Sequence, residues 1–592
     1  MSTSEQRGTT ARPGTAPSEI PAGEPATAQE WASDVVADTL RALSLRYVAL
    51  TPGATFRGLH DSIVNHQGNH HPQLVLCLHE EHAVAVAHGY AKAAGRPMAV
   101  ALHSNVGLMH ASMALYNAYC DQAPLLVLGA GGPADTHHRR AWTDWVHTFT
   151  DQAALVRPFL KWDDQPGSLP AAVRSLLRGA QLAAGAPRGP VYVSLDSELL
   201  EEPHDGSDLL ADAHRFPPLP APVPADAELD RAARLLAGAE HPVILVGRTS
   251  TSGEAWDQRV ALAELLGAEV VTDLKQTASF PTRHPLHHRD TGIRLTARGR
   301  AAVAAADVVL SLDWLDLGTA LRDAGQEHTT VVHATLAHQN VRGYTQLDFW
   351  PGPVDVTLTG HPDDVVGPLL ERLRTLRTPA TPPYPTHPEP RPEPETERPD
   401  AAAPLTLDAL ARTVHEACAA QPATLIRATL NWPEDAWPLT GPMDYLGMDG
   451  GGGLGSGPGM AVGGALALLG SGRLPVAVLG DGDYSMGVTA LWTAAHYRLP
   501  LLLVVANNMA YLNDVTHQSR VAATRARPDA NRGIATTLVD PPLDVLGLAT
   551  AQGARGFGPV ESVGTLRTAL GEAIAEVRAG GVAVVDARMP RP

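Results

Sequence analysis

Gly480-Asp481-Gly482 ends one apolar run, and Asn507-Asn508 ends another after 24 intervening residues. A carboxylate and a side-chain amide are both oxygen donors, the kind that hold a hard cation such as Mg²⁺ and leave coordination positions for phosphate. The glycines beside Asp481 would let a ligand approach the main chain closely. Taken alone, either element is a common turn signal. They mean more only if the fold brings them to one place.

The elements around them do so. PVAVLG (475–480) and PLLLVVA (500–506) read as buried strands, and VTALWTAAHYR (488–498) between them reads as a helix. In such a βαβ unit both strands end on the same edge of a parallel sheet, where ligands bind. Asp481 is therefore expected to hold a metal that in turn holds a diphosphate. Strand–helix alternation recurs along the chain. RYVAL, QLVLCL, PMAVALHS, APLLVLGA and GPVYVSLD form a first block, and HPVILVG, AEVVTDL, DVVLSLD and TTVVHA a second. The expected fold is α/β, with three doubly wound parallel-sheet domains at 29–200, 222–372 and 405–592. A disordered tail is expected over 1–28, and a Pro-rich linker over 373–404.

Composition narrows the function. A formal net charge of -18 argues against a nucleic-acid binder, which needs a basic face. No long uncharged apolar stretch suggests a membrane span. Three scattered cysteines, Cys77, Cys120 and Cys418, give neither metal-type spacing nor a disulfide framework, and the expected compartment is a reducing cytoplasm.

The Gly480-Asp481-Gly482…Asn507-Asn508 pattern resembles the cofactor signature of thiamine-diphosphate-dependent enzymes. GGLG (452–455), LHS (102–104), FPTRHP (280–285), GPVYVSLD and ALWTAAHYRLPLLLVVANN are similar to segments of benzoylformate decarboxylase, with acetolactate synthase a wider relative. The resemblance implies pyrimidine-binding, central and diphosphate-binding domains in that order. It places Glu80, nine residues before the GYA element, against N1′ of the aminopyrimidine; Glu81 is read as an acid at a helix start. Asp481, Asn508 and the Ala510 carbonyl become the Mg²⁺ ligands. Pro52, Gly53, Gly452, Leu454, Gly480, Gly482, Asp483 and Tyr511 join the cofactor-binding set, Asp483 being an awkward charge near a diphosphate unless it turns away. His103 and His284 match active-site histidines.

The implied reaction is decarboxylation of a 2-oxo acid by thiamine diphosphate and Mg²⁺, with the product joined to a second carbonyl or released as an aldehyde. The implied unit is a homodimer or homotetramer, in which Glu80 reaches a cofactor anchored by the partner. Carbon–carbon hydrolysis, oxidation and non-catalytic cofactor or nucleotide binding are the alternatives. FAD is possible, but the loop in HPVILVGRTSTSG is weak support. Departures gather at the substrate pocket. Ala54 stands where the decarboxylase has serine, SNVG follows His103 where acetolactate synthases carry a glycine-proline-glycine turn, and LIRATLNWPEDAW matches neither relative well.

Overall fold

The computed structural model describes residues 14–210, 213–288, 292–326, 329–337, 352–377 and 400–591. The first sheet contains β1 (Tyr47–Leu50), β2 (Gln73–Leu76), β3 (Met98–His103), β4 (Leu125–Gly131), β5 (Trp162–Asp164) and β6 (Pro190–Asp196), in spatial order β2-β1-β3-β4-β6-β5. The second contains β7 (Pro242–Val246), β8 (Glu269–Thr272), β9 (Val308–Leu312), β10 (Thr330–Thr335) and β11 (Val356–Thr359), ordered β11-β10-β9-β7-β8. The third contains β12 (Ala423–Arg427), β13 (Leu474–Gly480), β14 (Leu501–Asn507), β15 (Arg555–Val560) and β16 (Val582–Arg588), ordered β12-β13-β14-β16-β15. Neighbouring strands pair in parallel throughout. Helices cover both faces, which is why strands such as LLLVVAN are buried along their whole length instead of alternating.

Five helices position the chemistry. These are α1 (Glu80–Ala94), α2 (Ser104–Cys120), α3 (Ser456–Ala467), α4 (Asp481–Gly487) and α5 (Ala490–His496). The His79 side chain starts α1 by accepting the Glu81 N–H, and Gly95 ends it at φ +66. Helices α1 and α3 cross with their main chains in contact. A methyl on Gly89 would overlap the Met460 carbonyl, and one on Gly463 the Val86 carbonyl. Tyr497, just past α5, accepts the Leu76 N–H through its hydroxyl at 2.9 Å, and Thr493 on α5 donates to the Leu76 carbonyl. The first and third domains of the chain are thereby seamed together.

Two boundaries differ from expectation. The part of the 1–28 tail that is described, from Gly14 onward, is docked. Gly14 N–H donates to the Tyr497 carbonyl, Gln73 Nε2 donates to the Gly14 carbonyl, and Glu19 pairs with His496 at 3.0 Å. Its Pro- and Gly-rich composition hides these specific anchors; residues 1–13 lie outside the described residues. The helix Pro362–Leu376 runs into the expected 373–404 linker, because its apolar face, including Leu369, Leu370 and Leu373, is buried against the central domain. Residues 378–399 of that linker lie outside the described residues.

Candidate active site

One cluster forms where β13 and β14 end side by side, Gly480 pairing with Ala506. Asp481 is the first residue of α4 and is almost wholly buried. Its Oδ1 accepts the Gly482 N–H at 2.8 Å. Its Oδ2 lies 3.2 Å from the Ala510 nitrogen, and Asn508 Oδ1 lies 3.0 Å from the same nitrogen. One N–H thus draws the carboxylate and the amide oxygen to a common point. Met509 makes the turn possible by adopting φ +58. The Ala510 carbonyl accepts the Leu512 N–H and keeps a second lone pair. Burial raises the pKa of the Asp481 carboxyl, and the backbone N–H groups pull it back only in part. A buried carboxylate left short of charge compensation, beside two further oxygen donors, is a donor set that fits a divalent cation. The Gly480 side is open, with no atom within 4 Å of where a Cβ would stand, whereas the Tyr511 ring lies against Gly482.

Asp483 faces away from this point. Two residues apart on a helix, side chains diverge by about 200°. The Asp483 carboxylate instead accepts the Gly455 N–H at 2.7 Å and the Gly457 N–H at 3.3 Å, at the start of α3. Burial raises its pKa, and the charge of Arg427 pulls the other way. Asp483 was expected beside the diphosphate unless it turned away, and its carboxylate is turned to the loop before α3. That loop is fixed further where Asp449 Oδ2 accepts from Arg427 at 2.8 Å and from Ser456 Oγ at 3.0 Å. It carries Gly452 at φ +66 and a half-exposed Leu454.

A second cluster belongs to the first domain. Glu80, 8% exposed, directs its side chain toward Gly107 and His110 of α2, with His110 Nδ1 2.9 Å from Glu80 Oε2. Glu81 leaves the same helical turn toward the third domain, where its Oε1 approaches Gly455 and burial raises its pKa, aided by the charge of Asp483. His103 ends β3 close by. Its Nδ1 is 3.0 Å from Thr55 Oγ1, and a methyl on Gly53 would overlap its ring. Burial lowers the His103 pKa, so the ring is held neutral near pH 7, and neighbouring His147 adds to that effect. Pro52 is exposed on the same loop.

His284 is engaged in the central domain. Its Nδ1 accepts the Leu286 N–H, its Nε2 lies 3.4 Å from Glu264 Oε1, and its ring meets Phe280 edge-on. The neighbouring Thr282 bonds both ways with Leu439 of the third domain, so FPTRHP abuts the segment LIRATLNWPEDAW leads into. Arg248, in the loop considered for flavin, turns inward to pair with Asp313 at 2.8 Å.

Models of three consecutive domains match this chain. The N-terminal binding domain of thiamine pyrophosphate enzymes covers residues 30–155, their central domain 229–358 and their C-terminal binding domain 429–587. The chain belongs to the thiamine pyrophosphate enzymes. Benzoylformate decarboxylase of Pseudomonas aeruginosa is 29% identical over 501 residues, covering 82% of this chain and 85% of that one. The acetolactate synthase large subunit of Lactococcus lactis is 26% identical, covering 47% of each. In three dimensions, benzoylformate decarboxylase from Polynucleobacter necessarius superposes with a TM-score of 0.75 over 95% of this chain and 98% of that one, at 20% identity. The clusters described above thus lie in the two domains of this thiamine pyrophosphate enzyme whose models are those of binding domains. No helix among the described residues is long and apolar enough to cross a membrane.

Sequence reasoning missed His110. NVGLMHASMALYNAY reads as an apolar helix, and nothing in its pattern singles out one histidine among 26. The available signal was spacing: Gly107 and His110 stand three apart on α2 and so share a face.

Proposed function

We propose that this enzyme uses thiamine diphosphate and Mg²⁺ to decarboxylate a 2-oxo acid, and that it works as a dimer or higher homo-oligomer. The observation carrying this reading is Glu80. A phosphate binder has no use for a carboxylate nine-tenths buried in a separate domain, whereas an aminopyrimidine nitrogen has. Bound thiamine diphosphate would supply the carbon nucleophile and the electron sink.

Around it, Asp481, Asn508 and the Ala510 carbonyl would hold the metal. Glu80 would hold and move a proton at N1′. Gly452 and Leu454 would line the cofactor, and Tyr511 would shield the diphosphate side. His103, kept neutral and oriented by Thr55, would accept or return a proton at the substrate. His284 would act on substrate only if assembly freed it from Glu264. Because Glu80 contacts α2 while Glu81 faces the chain's own third domain, the reading assigns Glu80 to a cofactor bound by a second copy.

Release as an aldehyde is one fate of the product. Addition to a second carbonyl is the other, and it is favoured by Ala54, which presents no hydroxyl to a substrate carboxylate. Glu80→Gln is the test. The variant should still bind thiamine diphosphate while CO₂ release from a panel of 2-oxo acids, with and without aldehyde acceptors, falls by about 10²-fold or more. Unchanged turnover would remove the mechanism.

A further inference from the structure

His110 meets Glu80 at one ring nitrogen, and in the single chain 51% of its side chain is exposed. The contact exists because Gly107 leaves space beside the carboxylate. A methyl at Gly107 would stand 3.2 Å from Glu80 Cγ and 3.5 Å from Oε1. On its other face His110 is covered by His79, whose ring stacks with a centroid separation of 4.9 Å and an interplanar angle of 23°. The His79 ring is held through its Nδ1, which accepts the Glu81 N–H at 3.1 Å. Burial lowers the His79 pKa and keeps that ring neutral.

The titratable groups facing His110 are therefore Glu80 and His79, from α1 and its cap. Glu80 is faced in turn by His103 at the end of β3.

Resting on the reading of Glu80 above, we propose that His110 positions the Glu80 carboxyl and is the port through which it exchanges its proton with solvent. An isolated glutamate keeps a proton only up to about pH 4.3, and an isolated histidine to about 6.5. The hydrogen bond that joins them lets a proton pass from one to the other. In the loading direction solvent adds a proton at Nε2 of the neutral Nδ1–H ring, and the imidazolium so formed passes its Nδ1 proton to Glu80 Oε2, leaving the neutral Nε2–H ring. The reverse sequence unloads it. Each step moves one proton along an existing hydrogen bond or to water, with no change of oxidation state.

The experiment uses the full-length apoprotein. Mg²⁺–thiamine diphosphate is titrated into wild type, His110→Asn and Glu80→Gln, with tryptophan fluorescence as the readout, from about pH 4.5 to about pH 8.5. Deuterium exchange at C2 of the bound coenzyme is followed in the same samples. Wild type should show an inflection in the histidine range in both affinity and exchange. In His110→Asn, which keeps a donor on a half-exposed helix surface, the inflection should move into the carboxylate range. Exchange near neutrality should slow by about tenfold. Should the Asn variant fail to fold by circular dichroism, His110→Gln takes its place. A variant whose inflection coincides with that of wild type, even with uniformly weaker binding, overturns the proposal and leaves the functional reading standing. Wild-type protein that binds no thiamine diphosphate at any pH overturns both.

Discussion

Asp121→Asn should weaken the fold and the cofactor loop together. Asp121 closes α2, and its side chain is only 4% exposed. Its Oδ2 lies 2.8 Å from His88 Nε2 and accepts from Lys92 Nζ at 2.6 Å, and the same ammonium donates to the Met448 carbonyl at 2.6 Å. The backbone of Gly450 packs directly on Asp121, so the triad anchors the strip that leads to Gly452 and Leu454. The amide would leave Lys92, whose side chain is only 10% exposed, without its counter-charge. Removing one partner of a buried pair costs about 3–5 kcal/mol. For a domain of this size that corresponds to a fall in melting temperature of roughly 6–20 °C.

Burial alone would raise the Asp121 pKa, but the Lys92 charge and the His88 contact outweigh it and hold the carboxyl below its ordinary value. A depressed carboxyl stabilises the fold in full above its unfolded pKa of about 3.9, and that contribution disappears as pH falls through the folded value. The gap between wild type and variant should therefore be constant near neutrality and close below about pH 4. Differential scanning calorimetry across pH measures it, and thiamine diphosphate titration at neutral pH measures the loosened loop. Lys92→Met provides the control, since removing both charges should cost at least about 1 kcal/mol less than the two single losses added together. Strict additivity, or a single-variant cost under about 1 kcal/mol, would refute the reasoning.

Two further outcomes follow from the geometry. Gly53→Ala would drive a methyl into the His103 ring, so kcat/KM should fall by about 10²-fold with little change in melting temperature, as steady-state kinetics beside calorimetry would show. Burial pushes the Cys77 and Cys418 thiols up to about 12, so in native protein an aromatic disulfide reagent should leave both unmodified while the half-buried Cys120 reacts, with peptide mapping as the check.

The domain plan was legible because parallel strands covered on both faces must be apolar throughout, and β13, β14 and β16 read that way in the bare sequence. The convergence of Asp481 with Asn508 was legible for the same reason, since strand pairing fixes where strand ends emerge. Choosing Glu80 over Glu81 needed the distance to the GYA element. The sequence does not show that one carboxylate faces α2 and the other the third domain. The direction of Asp483 was left open, toward the diphosphate or away from it. Once Asp481 begins a helix, the residue two further on must point elsewhere. His110 and the docking of residues 14–28 depend on contacts between segments far apart in the chain, to which local patterns are blind.

The crossing of α1 and α3 has a consequence for how such a protein can change. Its angle and depth are set by glycines pressed against carbonyl oxygens, so no side-chain exchange at the seam can retune it gradually; each replacement of Gly89 or Gly463 meets main chain. Exposed residues such as Ala54 and Leu430 carry no such obligation. Selection can therefore explore new substrates at the rim while the alignment of the two lobes is inherited intact.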